Sequence, residues 1–159
     1  MKKIIFTALV CLSTGTLLVA QTPAQNDKEH TPAVLICGTG DAPYYENIVD
    51  DLLDSLADHG VSAKICEEHP LSRSTSVEKA KEVGAGSVLY VSLHVSERIA
   101  YETTLSVQCV SADGKKLWEE HQGGPLMTPS IHSTINIITN KMKKKLEAHV
   151  GKPGLPTSK

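Results

Sequence analysis

The chain has 159 residues, enough for one compact domain and too few for two comfortable ones. Its 16 basic and 18 acidic side chains give a formal net charge of −2, so no basic footprint for nucleic acid is present. The four cysteines form no CxxC or Cys/His cluster, which removes a zinc module from consideration.

Residues 1–20 read as a signal peptide. Lys2 and Lys3 lead into an apolar run over 4–12, a polar break over 13–16, and then Leu17, Leu18, Val19 and Ala20. Cleavage after Ala20 puts Leu18 at the −3 position, and cleavage after Ala24 puts Thr22 there. The segment is shorter and more polar than the roughly 20 apolar residues a membrane span requires. Cys11 follows Val10 inside the apolar run, a poor context for lipid attachment. The expectation is export to the periplasm or extracellular space, outer-membrane association included. Export takes ATP, NAD and reducing thiols off the list of partners, and no cofactor is expected.

Residues 21–32 are polar with two prolines and read as a flexible lead-in. A single α/β domain is expected over 33–150. The apolar run 33–37 is a strand covered on both faces, broken by Gly38-Thr39-Gly40-Asp41. Ile48, Leu52 and Leu56, flanked by Val49 and Leu53, form the apolar row of a helix that stops at Gly60. A second strand over 61–66 follows at once, an order that implies parallel pairing. Thr75-Ser76-Val77-Glu78 matches a capping box and predicts a short helix over 76–83 ending at Gly84. The stretch 87–93 is the most strand-like in the chain.

Beyond it, Leu93 and Val95 alternate with Ser92, His94 and Ser96, and Leu105 and Val107 with Thr104, Ser106 and Gln108. That pattern predicts antiparallel strands with one wet face. Asp113-Gly114 predicts a tight turn into a strand over 115–120, where Trp118 anchors the sheet against a helix. Thr128-Pro129 opens the last helix, whose stripe of Ile131, Ile135, Ile138, Met142 and Leu146 closes the core. Residues 151–159, with Gly151, Pro153, Gly154 and Pro156, read as a disordered tail. The fold expected is α/β: a mixed parallel and antiparallel sheet of about five strands, order β-α-β-α-β-β-β-α, with helices mainly on one face.

No catalytic constellation emerges. Gly38-x-Gly40 lies between strand and helix, but position 43 is Pro43 where a dinucleotide loop has glycine, and no Gly-Lys-Ser/Thr ending follows. The serine in Gly84-Ala85-Gly86-Ser87-Val88 lacks the glycine of a nucleophile elbow. Asp50 and Asp51 point to different sides of their helix, and Glu119 and Glu120 to opposite faces of a strand, so both pairs read as solvated surface. The seven histidines show no ligand spacing and read as surface or incidental. A small-molecule-binding or hydrolytic reading keeps one candidate loop, Gly38, Gly40, Tyr44 and Tyr45, at the carboxyl end of a strand. Cys37, Cys66 and Cys109 sit in strand-like runs and favour buried thiols. Cys37 and Cys66 are the best candidates for a disulfide. Lys141, Lys143, Lys144 and Lys145 form the one positive cluster, a solvated face or a peripheral contact with anionic lipid.

One stretch carries a resemblance. Ala80-Lys81-Glu82-Val83-Gly84-Ala85-Gly86-Ser87-Val88-Leu89-Tyr90-Val91-Ser92-Leu93, then a hairpin, then Asp113-Gly114-Lys115-Lys116-Leu117-Trp118-Glu119, resembles a pattern of bacterial envelope proteins. It is similar to the amino-terminal domain of the TolB family and to the curli-secretion (CsgG) and penicillin-binding-protein activator lipoprotein families, over residues 33–148. The resemblance implies a non-enzymatic envelope protein that acts by contact with other proteins, self-association included. Pore formation is not carried over, because the chain has no room for extra membrane-inserting strands. The expected contact surface is the wet face of the long hairpin: His94, Ser96, Glu102, Thr104, Ser106 and Gln108, engaging a partner by edge pairing or side-chain recognition.

Overall fold

The computed structural model describes residues 31–41, 43–96, 102–125 and 130–157. The expected signal peptide, nearly all of the lead-in, and the expected Thr128-Pro129 helix opening lie outside those residues. In chain order the elements are β1 (Val34–Thr39), α1 (Tyr44–Asp58), β2 (Ala63–Ile65), α2 (Arg73–Val83), β3 (Ser87–His94), β4 (Thr104–Ser111), β5 (Lys116–Gly123) and α3 (Ile131–Glu147). They form one five-stranded sheet in the order β2-β1-β3-β4-β5. β1 runs parallel to β2 and β3, while β3–β4 and β4–β5 are antiparallel. This is the mixed α/β sheet that the sequence predicts.

Successive residues of each strand point to opposite faces, and the two faces build separate cores. Val34 and Ile36 of β1, Leu89, Val91 and Leu93 of β3, and Leu105, Val107 and Cys109 of β4 join the buried stripes of α1 and α3. Those stripes are the predicted ones: Ile48, Leu52 and Leu56 in α1, and Ile135, Ile138, Met142 and Leu146 in α3. The opposite face is smaller. There Leu35, Cys37, Val88 and Val110 pack under Val77 and Ala80 of α2. Two of the three described helices therefore share a face.

Local chemistry moves three boundaries. α2 begins earlier than a cap at Thr75 implies: Ser72 is the N-cap, in extended backbone, and its Oγ accepts from the Thr75 N–H at 3.2 Å. Thr75 is thus the third residue of the first turn, where its N–H needs an acceptor and Ser72 supplies it. α3 is capped in the same way by Ser130, whose Oγ accepts from the Ser133 N–H at 3.1 Å. The expected tight turn at Asp113-Gly114 and the hairpin it folds are present, and the turn is not a two-residue hairpin loop. Such a loop in type I′ geometry needs positive φ at both central residues, and among the described residues only glycines have positive φ. Gly114 N–H instead donates to Ser111 O, and Ser111 N–H to Lys115 O, closing a wider turn with Gly114 at φ 88°. β5 also runs three residues past the predicted end at Glu120.

The disordered tail expected over 151–159 is corrected for residues 151–157. Leu155 is fully buried in the larger core. Its N–H donates to Lys152 O and its carbonyl accepts from Gly151 N–H, so the segment turns back on itself. Ser87 Oγ donates to Gly154 O at 2.6 Å, and Trp118 Nε1 donates to Pro153 O at 3.3 Å. Glycine and proline content signalled irregular backbone, and one leucine supplies enough apolar burial to order it.

Candidate binding face

Strand register decides which polar side chains meet. Thr39 of β1, Ser92 of β3, Ser106 of β4 and His121 of β5 are consecutive cross-strand partners and form one row. His94, Thr104 and Gly123 form the row beyond it, and Tyr90, Gln108 and Glu119 the row before it. All lie on the face of α2: Tyr90 packs against the cluster that α2 covers, Gln108 meets Arg73 at the start of α2, and the others lie past that patch. His94, Thr104 and His121 are exposed, while Ser92, Ser106 and Gln108 are half-buried.

Four of the six predicted contact residues, His94, Thr104, Ser106 and Gln108, thus share one open sheet surface. Ser96 and Glu102 meet just beyond it: Ser96 Oγ donates to Glu102 Oε2 at 3.2 Å, and Ser96 N–H donates to Thr103 Oγ1 at 3.2 Å. Thr39, Ser92, Glu119 and His121 belong to the same surface and were missed. Period-two alternation marks Ser92 as outward, but nothing local says that Thr39 and His121 flank it across three strand pairings.

A chain of contacts fixes one side of this face. Arg73 Nη1 donates to Gln108 Oε1 at 3.3 Å, and Gln108 Nε2 to Glu119 Oε1 at 2.5 Å. Lys116 Nζ lies 2.8 Å from Glu119 Oε2, and His121 Nε2 lies 3.2 Å from Glu119 Oε1. The hydrogen bond from Lys116, then that from Gln108, holds the Glu119 carboxyl below its ordinary range. The face therefore presents hydroxyls, amides and imidazoles at strand spacing, an array suited to hydrogen-bonding a polar surface.

Edge pairing is poorly served by β5. Gly124 N–H donates to Thr103 O, and stepping along the antiparallel register from that bond turns the His121 backbone toward the free edge. There the His121 carbonyl accepts from Lys145 Nζ at 2.6 Å. A register irregularity at Cys109/Val110 and the side chains Lys116, Glu119, Glu120 and His121 further blunt the strand.

Glu120, on the opposite face from Glu119, is not bare surface. Its carboxylate meets His149 Nε2 at 3.0 Å and Lys145 Nζ at 3.2 Å. The His149 contact is the main cause of its lowered pKa, with Lys145 adding to it. Trp118 stacks on His149 with ring centroids 4.1 Å apart, so the predicted anchor holds the end of α3 and the 151–157 turn together. Two histidines read as incidental thus have packing roles, since His69 stacks on Tyr45 at 4.0 Å.

In the candidate ligand loop, Gly38, Gly40 and Tyr45 are closely packed, while Tyr44 is half-buried. A Cβ at Gly38 would overlap the Val91 carbonyl, and one at Gly40 would come within 2.9 Å of Leu93 Cβ. Tyr45 is buried in the larger core, and burial raises its hydroxyl pKa. The glycines admit a close neighbour from β3, the role a ligand would otherwise have in such a loop. In the lysine cluster, Lys141 and Lys144 are exposed, whereas Lys145 is drawn onto β5.

All three described cysteines are free thiols. Burial is the main cause that pushes Cys37 and Cys109 up to about 12. Among the described residues no group of three or more His, Cys, Asp or Glu side chains is placed to hold a metal ion, and no helix is long and apolar enough to cross a membrane.

No protein-family model and no curated protein matches this chain. Among solved structures it is similar to a PelC dodecamer from Paraburkholderia phytofirmans, with 12% identity over 69% of this chain and 84% of that one, at a TM-score of 0.48. It is also similar to TolB from Acinetobacter baumannii, with 12% identity over 74% of this chain and 28% of that one, at a TM-score of 0.42. A prolyl-tRNA synthetase from Cryptosporidium parvum, complexed with L-proline and AMP, matches at 17% identity over 74% of this chain and 23% of that one, with a TM-score of 0.38. These are distant likenesses of fold and assign no activity, ligand or partner.

Proposed function

We propose that this chain is an exported, non-enzymatic binding or assembly module of the bacterial cell envelope, working through contact with another envelope protein. The observation that carries the reading is the polar row Thr39–Ser92–Ser106–His121, with His94 and Thr104 beside it, which α2 leaves uncovered. The signal-like residues 1–20 and the sequence resemblance to envelope families support the compartment. Side-chain recognition on this face is preferred to edge pairing, because β5 is charged, irregular and already bonded by Lys145.

The test is a photo-crosslinking amino acid placed at Ser106 or His94 of the full chain, expressed in a bacterial envelope, with exposed Lys144 as the control position. A discrete protein adduct is expected from the two face positions and not from position 144. Thr104→Arg, which changes the face without touching either core, removes that adduct. Absence of a discrete adduct from both face positions overturns the reading.

A further inference from the structure

We propose that Cys37 and Cys66 are a paired dithiol site that closes to a disulfide when the folded chain meets a disulfide donor, stapling the short edge strand β2 to β1. Ile36 pairs with Ile65 in the parallel ladder, and each cysteine is the next residue. The ladder continues to them, since Cys66 N–H donates to Ile36 O at 2.8 Å. Neighbouring strands lie about 4.8 Å apart, inside the Cα separation of roughly 4.4–6.8 Å that a disulfide spans. Both side chains turn to the α2 face: Cys37 is buried there with Leu35, Val77 and Ala80, and Cys66 packs against the same cluster. After burial, the neighbouring Cys66 thiol is the next cause that raises the Cys37 pKa. Cys109 belongs to the core on the opposite face and is not a competitor.

Access is asymmetric. Cys66 lines an open cleft of about 270 Å³ between β2 and α2, with Glu67, Glu68 and Lys79 around it, whereas Cys37 is covered. The exchange therefore starts at Cys66. Its sulfur loses a proton and attacks the donor's S–S bond, forming a mixed disulfide and releasing one donor thiolate, which takes up the proton. The Cys37 sulfur then displaces the second donor sulfur from Cys66 Sγ, and its proton leaves with that group. Two protein thiols have lost two electrons and two protons, and the donor disulfide has become two thiols. Burial holds the Cys37 thiol up to about 12, which makes the second step the slow one. The bridge encloses α1 in a ring of roughly thirty residues, constraining the unfolded chain. It also secures a strand of three residues that, among the described residues, pairs only with β1.

The folded full chain is incubated to completion with oxidised glutathione, alkylated under denaturing conditions and digested with trypsin, which cuts after Lys64 and separates the two cysteines. The expected product is peptide 29–64 joined to peptide 65–73, about 2 Da lighter than the two reduced peptides together. Tm rises with the bridge and returns on adding dithiothreitol. Cys66→Ser keeps the Tm of the reduced protein, gives no linked peptide and shows no rise. Glutathione retained on Cys66 with Cys37 still alkylatable at the end of the reaction overturns the proposal, as does linkage of either cysteine to another site.

Discussion

The face of the sheet under α1 and α3 and the face under α2 are lined by alternate residues of the same strands, yet only the first is apolar along the whole of β1, β3 and β4. Along β4 the first face holds Leu105, Val107 and Cys109, all fully buried, and the second holds Thr104, Ser106 and Gln108. The 11-residue α2 reaches the β1–β3 side and Val110, and beyond it the strands turn polar. The comparison teaches that fold stability and surface chemistry are separated by the pleat. Substitutions one residue apart in β4 act on different properties.

The largest break in this comparison is expected from Leu52→Ala, which empties a fully buried site between α1 and the sheet. It should cost about 2–5 kcal/mol in urea unfolding, whereas Ser106→Ala on the open face should stay within about 0.5 kcal/mol. Equal losses at the two positions would mean that both faces are core. Leu155→Ala comes next. If the 151–157 turn completes the larger core, the loss is about 2 kcal/mol, the low end for leucine because a surface segment can relax. A tail that contributes nothing would leave the unfolding midpoint unchanged.

A smaller effect sharpens how the sheet holds the end of α3. The hydrogen bond from His149, with help from Lys145, lowers the Glu120 carboxyl in the folded protein. A carboxyl depressed on folding contributes stability above its unfolded pKa and loses it as pH falls through the carboxylate range. Glu120→Gln should therefore be about 0.5 kcal/mol less stable than the parent at neutral pH, and the gap should close at acid pH in paired urea titrations. A gap that persists at low pH would assign the loss to packing beside Trp118 instead.

Much of this architecture was legible in the chain. The stripes Ile48–Leu52–Leu56 and Ile135–Ile138–Met142–Leu146 mark helices because one face of each must be apolar, and the alternation around Ser92 and Ser106 marks strands for the same reason. The caps were misplaced where several hydroxyls compete. Ser72, Ser74 and Thr75 all suit a helix start, and only the path of the incoming chain selects Ser72. The tail was misread because Gly151, Pro153 and Gly154 speak of local irregularity, while the burial of Leu155 depends on a core assembled from strands and helices distant in sequence.

Sequence alone determined the element order, the two amphipathic helices and the polar side of the hairpin, since these follow from periodicities within a few turns of chain. Tertiary structure decided that Thr39, Ser92, Ser106 and His121 form one row and that Trp118 stacks on His149. Each of those contacts joins residues that no local pattern relates. Their proximity is a consequence of strand order and register, which are set by how the whole sheet buries its apolar face.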